Sequence, residues 1–347
     1  MYKPLIDRLA RETVLSREEY LALIENRDSC REYLAEKARA VREQNYGRDV
    51  YIRGLIEISN HCKNNCFYCG IRAGNTCAER YRLTPDEIIN AANSGYALGF
   101  RTFVLQGGED GYYTDEILCG VISEIKKRHP DCAVTLSLGE RSLESYKALR
   151  DAGADRYLLR HETTNPEHYK KLHPDGMSFE NRQECIENLK ALGYQVGVGF
   201  MVGSPYQTAE DLADEMLYLK KLNPQMVGIG PFISHKDTPF RDFENGTAEL
   251  TTFMLSLIRL TLPRVLLPAT TALGTVEADG RELGILAGAN VVMPNLSPVN
   301  VRKKYMLYDN KICTGDEAAQ CIECLKSRMK KIGYNTVVSR GDYKNEV

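Results

Sequence analysis

The sequence predicts an α/β chain folded as a (β/α)8 TIM barrel, with an N-terminal helical extension and a short C-terminal helical tail. Three observations predict it. Eight apolar runs of strand length recur, at 50–58, 102–106, 133–138, 156–160, 195–201, 226–230, 264–267 and 290–293. Amphipathic stretches with helix start and stop signals separate them, which is the pattern of parallel βαβ units. Several runs are apolar throughout, as strands covered on both faces should be. A doubly wound sheet is the alternative. The expected boundaries are 1–48 for the helical extension, 49–310 for the barrel and 311–347 for the tail.

The elements justify themselves in order. In the extension, Ser16 with Glu19 fits a capping box, and Leu21, Leu23 and Ile24 supply an apolar face. Thr84-Pro85-Asp86-Glu87 combines a cap, a proline in the first turn and an acid three residues on. Thr208 with Asp211 opens another helix, and Gly99, Gly153 and Gly193 stand where helices should stop.

Composition narrows the function. The chain has 347 residues with 45 Lys and Arg against 47 Asp and Glu, so its net charge of −2 favours neither nucleic acid nor an anionic membrane. Met1 to Glu12 has no apolar core of a signal peptide, and no apolar run approaches the length of a membrane span. Eleven cysteines without an export signal indicate a reducing, cytoplasmic location.

The chemistry gathers after the strands, where barrel enzymes keep their active sites. Cys62, Cys66 and Cys69 follow the first strand with C-x3-C-x2-C spacing. Thiolates are the usual ligands of iron–sulfur clusters, and three of them leave one iron of a cubane open to a further ligand. Zinc with His61 as an added ligand is the competing reading, although zinc sites usually use two separated cysteine pairs. After the later strands come Gln106-Gly107-Gly108-Glu109, Ser137-Leu138-Gly139-Glu140, Arg160-His161-Glu162, Gly228-Ile229-Gly230, Pro268-Ala269-Thr270-Thr271 and Met293-Pro294-Asn295, then Tyr305 and Tyr308. Arg182 opens the helix after the fourth; a fork for a carboxylate and a surface ion pair are both open for it. Together these clusters predict a lined cavity. A second set, Cys313, Cys321 and Cys324, is a candidate for another metal centre or a group of ordinary thiols.

The cysteine loop, with Tyr68 before its third cysteine, resembles the signature of radical S-adenosylmethionine (SAM) enzymes. Further strings, Arg156-Tyr-Leu-Leu-Arg-His-Glu-Thr163, Ser178-Phe-Glu-Asn-Arg182, Met226-Val-Gly-Ile-Gly-Pro-Phe232, Pro268-Ala-Thr-Thr-Ala272 and Ala289-Asn-Val-Val-Met-Pro-Asn295, are similar to the HydE-type maturases of [FeFe]-hydrogenase, from about residue 48 to about 325. The resemblance implies a [4Fe-4S] cluster on Cys62, Cys66 and Cys69, whose free iron is chelated by SAM. Reduction then releases a 5′-deoxyadenosyl radical. It implies that Tyr68, Gly107, Gly108, Glu109 and Ser137 border SAM, that Glu162 binds the ribose hydroxyls and that Arg182 binds the methionyl carboxylate. Arg156, Arg160, Thr270, Thr271, Met293, Tyr305 and Tyr308 would line the substrate cavity. Cys313, Cys321 and Cys324 match an accessory cluster site of variable presence, a second iron–sulfur cluster without a catalytic role. The implied substrate is a small organometallic or amino-acid-like molecule, an iron carbonyl–cyanide–cysteine complex. The implied partners are an electron donor and other hydrogenase maturases. A methylornithine synthase-type mutase, a biotin-synthase-like sulfur donor and a non-catalytic iron–sulfur carrier are the rival readings.

Overall fold

A computed structural model describes residues 2–313 and 322–344. Its strands are β1 (Asp49–Ile52), β2 (Gly54–Ser59), β3 (Thr102–Gly107), β4 (Ala133–Ser137), β5 (Arg156–Leu158), β6 (Gln195–Val198), β7 (Met201–Val202), β8 (Met226–Val227), β9 (Gly230–Pro231), β10 (Val291–Val292) and β11 (Asn335–Val337). The main sheet runs β2-β3-β4-β5-β6-β8, with every pair parallel. Single parallel bridges carry the ring onward from Met226 to Leu266, from Pro268 to Val291 and from Asn295 back to Leu55. The sheet therefore closes, and the expected barrel is observed rather than the open alternative. All six residues of β2 are buried, as a strand between barrel core and helices must be.

Three of the expected strands are interrupted. The run 50–58 breaks at Arg53: β1 pairs with β10 and β11 at the base of the barrel, while β2 pairs with β3. The runs 195–201 and 226–230 break near Gly199 and Gly228, and β7 and β9 form their own pair at the rim. A Cβ on Gly199 would lie 2.0 Å from the Gly228 carbonyl oxygen, so the two chains cross at a distance only glycine permits. The tail also departs from the helical expectation. Helix Ile322–Lys331 is followed by β11, which adds to the edge of β1.

The helix signals are borne out. Ser16 with Glu19, Thr84 with Glu87 and Thr208 with Asp211 each close a reciprocal capping box, worth about 1 kcal/mol per cap. Gly99, Gly153 and Gly193 have φ of 94°, 114° and 75°, the left-handed stop that favours glycine. The extension packs helices Arg17–Glu25 and Arg31–Tyr46 on helices Ala209–Leu222 and Ala248–Thr261 of the barrel coat. Among the described residues no helix is long and apolar enough to cross a membrane.

The base of the barrel is occupied by the chain's own tail. Arg156, the first residue of β5, donates to Gln195 Oε1 (3.1 Å), Thr102 Oγ1 (3.1 Å), the Arg340 carbonyl (2.9 Å) and Asp342 Oδ1 (2.5 Å). Arg340 in turn pairs with Asp155 and Asp342. This corrects the expectation that Arg156 lines the substrate cavity at the mouth. It stands at the opposite end of its strand, bound to the tail.

Candidate active site

Chain direction in a barrel of parallel strands places the loops after β2 to β6 on one face. The loop 60–83 leaves β2 and returns beside it, with the Leu83 N–H donating to the Ile58 carbonyl (2.8 Å). Arg80 holds its interior: the guanidinium donates to the carbonyls of Ile71 (2.8 Å), Arg72 (2.7 Å) and Asn75 (2.9 Å). Within this loop Cys62, Cys66 and Cys69 are half-buried and unpaired. Burial, and then the charge of the neighbouring thiols, raises Cys66 and Cys69, the latter to about 12. As thiolates the three would repel one another, so deprotonating them together would need a positive centre among them.

The segment after β3 packs directly on this loop. A Cβ on Gly108 would lie 2.2 Å from the His61 carbonyl oxygen and 2.6 Å from Cys62 Cβ, so glycine is required by contact with the cysteine loop itself. Lys63 donates its N–H to the Glu109 carbonyl (2.9 Å). The Glu109 side chain takes the Glu140 N–H (3.0 Å) and pairs with Lys63 Nζ (3.1 Å), tucked under Gly139 at φ 76°. Glu109 thus ties the cysteine loop to the loop after β4, and Gly107 and Ser137 end the two strands that carry these loops.

On the other side of the thiols stand Tyr68, Glu162, Arg160 and Arg182. The charges of Glu162 and Arg182 both act on Cys66 and on the buried Tyr68 hydroxyl, which places the group together. Arg182 is buried, donating Nε–H to Glu140 Oε1 (2.5 Å) and Nη1–H to the Arg160 carbonyl (2.6 Å), so the surface ion pair left open for it is excluded. Burial alone would lower its pKa, but Tyr169 and Glu140 outweigh that and raise it. Tyr68 O–H donates to His173 Nε2 (3.3 Å), because His173 Nδ1–H must donate to the Tyr169 carbonyl (3.0 Å). Burial, and then the charge of Arg182, lowers His173 to about 3 and keeps it neutral.

The Arg160 guanidinium lies 3.1 Å from Glu162 Oε2. The alignment is poor, however, and Arg160 Nε and Nη2 and Glu162 Oε2 make no hydrogen bond although buried. Buried polar atoms without partners are rare and costly. Here they sit beside three unpaired thiols, a donor set that fits an iron–sulfur cluster carrying a polar, charged ligand.

The other expected residues divide. Tyr305 is fully buried, feels the charges of Glu57, Cys69 and Cys62, and accepts a hydrogen bond from Gln106 Nε2 (3.3 Å). Tyr308 is bonded to Thr275. Thr270 caps helix Thr271–Val276, and Met293 packs against the cluster formed by Tyr46, Tyr51, Met226, Leu266 and Val291. Cys313 accepts from Arg281 Nη2 (3.0 Å), Cys324 is exposed on the tail helix, and Cys321 lies outside the described residues. Sequence reasoning missed Arg80, His173, the pair His161–Glu215, and the buried pair Lys311 Nζ–Glu57 Oε1 (2.5 Å). His161 stands inside a quoted string, but no motif names the roles of these residues, which depend on the partners that folding brings to them.

Residues 56–219 match the family model of the radical SAM superfamily. The [FeFe] hydrogenase maturase subunit HydE of Thermotoga maritima is 48% identical over 302 residues, covering 87% of this chain and 86% of that protein. 3-Methylornithine synthase of Methanosarcina barkeri is 29% identical over 306 residues, covering 87% and 84%. The crystal structure of methylornithine synthase (PylB) superposes with a TM-score of 0.82 at 25% identity, covering 96% of this chain and 97% of that one. The three-thiol loop and the likeness along most of both chains lead to one conclusion: the chain is a radical SAM enzyme and belongs to the HydE family.

Proposed function

We propose that this enzyme acts in [FeFe]-hydrogenase maturation, processing an iron carbonyl–cyanide–cysteine precursor during assembly of the H-cluster. Enzymes of the family use a [4Fe-4S] cluster and SAM. When bound, these supply a 5′-deoxyadenosyl radical by reductive cleavage of SAM. The rest is the work of the chain. Cys62, Cys66 and Cys69 would hold the cluster, and Gly108 lets the backbone after β3 lie against the loop that carries them. Glu162 accepts hydrogen bonds from the ribose hydroxyls. Arg182, its fork fixed by Glu140 and the Arg160 carbonyl, faces the methionyl carboxylate. Arg160, with Tyr305, Tyr308, Thr271 and Met293, borders the substrate, and the closed barrel keeps water from the radical. An electron donor and other hydrogenase maturases are the proposed partners.

The observation that carries this reading is the Arg160–Glu162 ion pair beside the thiols, whose facing atoms are buried without a hydrogen bond, in a chain 48% identical to a HydE maturase. The accessory cysteines are proposed to be dispensable, since Cys313 is already taken by Arg281. The likeness to methylornithine synthase favours an amino-acid mutase as the second reading. Anaerobic reconstitution, reduction with dithionite and measurement of 5′-deoxyadenosine tests cleavage; no product from intact cluster leaves only the carrier. Rescue of hydrogenase activity in a strain lacking its own HydE supports the maturase, and cleavage without rescue favours the mutase.

A further inference from the structure

We infer that His161 and Glu215 are positioning residues that hold the turn from which Glu162 reaches the nucleotide ribose. The inference rests on the proposed role of Glu162. It starts from the backbone. Glu162 has φ 66°, a left-handed conformation in a residue that carries a long side chain, at a cost of order 1–2 kcal/mol. Glycine or asparagine would occupy such a position more readily, so a glutamate there is retained for its side chain. That side chain is buried and its Oε2 makes no hydrogen bond.

The surrounding bonds explain how the turn persists. Glu162 N–H donates to the Gly199 carbonyl (3.0 Å), and Gly199 N–H donates to His161 Nδ1 (3.2 Å). His161 Nδ1 is therefore an acceptor, and the ring carries its proton on Nε2. That Nε2–H donates to Glu215 Oε2 (2.6 Å), and the other oxygen, Oε1, accepts the Thr164 N–H (2.7 Å). One carboxylate thus binds the residue before Glu162 and the second residue after it. Both partners are inaccessible, at 0% for His161 and 1% for Glu215. Phe200 and Tyr218 enclose the ring, with centroids 6.0 and 4.7 Å away. One turn earlier on the same helix, Asp211 accepts from Asn165 Nδ2 (2.8 Å). The helix Ala209–Leu222 therefore clamps segment 161–165 through two carboxylates spaced i, i+4.

A purely structural pair would stabilise the fold without regard to ligand chemistry. A positioning pair affects only ligands that use Glu162. The test measures binding of S-adenosylhomocysteine and of its 2′,3′-dideoxy analogue to the reconstituted holoprotein by calorimetry. Glu162→Gln, Glu215→Gln, Glu215→Ala and His161→Gln are compared, with thermal melting to check the fold. Glu215→Gln keeps the shape but turns an amide N–H₂ toward either Thr164 N–H or His161 Nε2–H. It should weaken S-adenosylhomocysteine about tenfold and leave the dideoxy analogue unchanged. The double variant Glu162→Gln/Glu215→Gln should bind no more weakly than Glu162→Gln alone. If Glu215→Ala does not fold, the glutamine variants decide. Equal weakening of both ligands overturns the inference, as does an unchanged Kd in Glu215→Gln when Glu162→Gln weakens binding. If Glu162→Gln itself leaves S-adenosylhomocysteine binding unchanged, the ribose role falls, and the positioning inference with it.

Discussion

Strand β5 ends in two arginines with opposite fates. Arg156, at its start, is fully buried and has partners on Nε, Nη1 and Nη2, including Asp342 of the tail. Arg160, two residues past its end, lies beside Glu162 with Nε and Nη2 lacking hydrogen bonds. The two positions are four residues apart in one string of sequence, and residue type alone gives both the same role. The difference teaches that a buried charge is informative by its partners. Where the chain saturates the charge with hydrogen bonds, it closes the barrel; where one poorly aligned carboxylate faces it, hydrogen-bonding capacity is left for a ligand.

The largest effect is expected at the mouth. Cys66→Ser should abolish incorporation of a full cluster, read as loss of iron and of the visible absorption, while thermal melting of the cluster-free protein stays unchanged. Melting that collapses in the cluster-free variant would erase the distinction between ligand-binding and structural ends. At the base, Arg156→Ala leaves Asp342 without one of its cations and should cost about 3 kcal/mol of stability. Denaturant unfolding measures this, and S-adenosylhomocysteine binding below the transition should not change.

Glu162→Gln reverses that pattern. It should weaken S-adenosylhomocysteine roughly 10- to 100-fold, the value of a hydrogen bond to a charged group, without loss of melting temperature. A large fall in melting temperature would show that Glu162 is structural like Arg156. A smaller effect separates the ends by pH. Burial alone would raise the Asp342 carboxyl, but the hydrogen bonds of Arg340 and the charge of Arg156 outweigh it and bring it from 3.8 to about 2. Its contribution is therefore present above pH 3.8 and lost as the pH falls through about 2. The gap in melting temperature between the wild type and Asp342→Asn should be constant above about pH 4 and shrink toward pH 2. The smallest effect is expected from Cys313→Ser, Cys321→Ser and Cys324→Ser together, which should leave 5′-deoxyadenosine formation nearly intact.

The sequence by itself determined the barrel, the cysteine loop and the clusters after the strands. Those depend on short-range signals: apolar runs covered on both faces, capping boxes at Thr84 and Thr208, and thiols within one loop. It also named Glu162 and Arg182, through strings specific to a family rather than through their own chemistry. Tertiary structure alone decided the break of the first strand at Arg53, the pairing of β11 with β1, and the assignment of Arg156 to the base. It alone joined His161 to Glu215, 54 residues apart, and Arg80 to the carbonyls of the cysteine loop. The physical reason is common to these cases. A buried polar group must be satisfied by whatever the fold brings within about 3 Å, and no local pattern in the sequence names that partner.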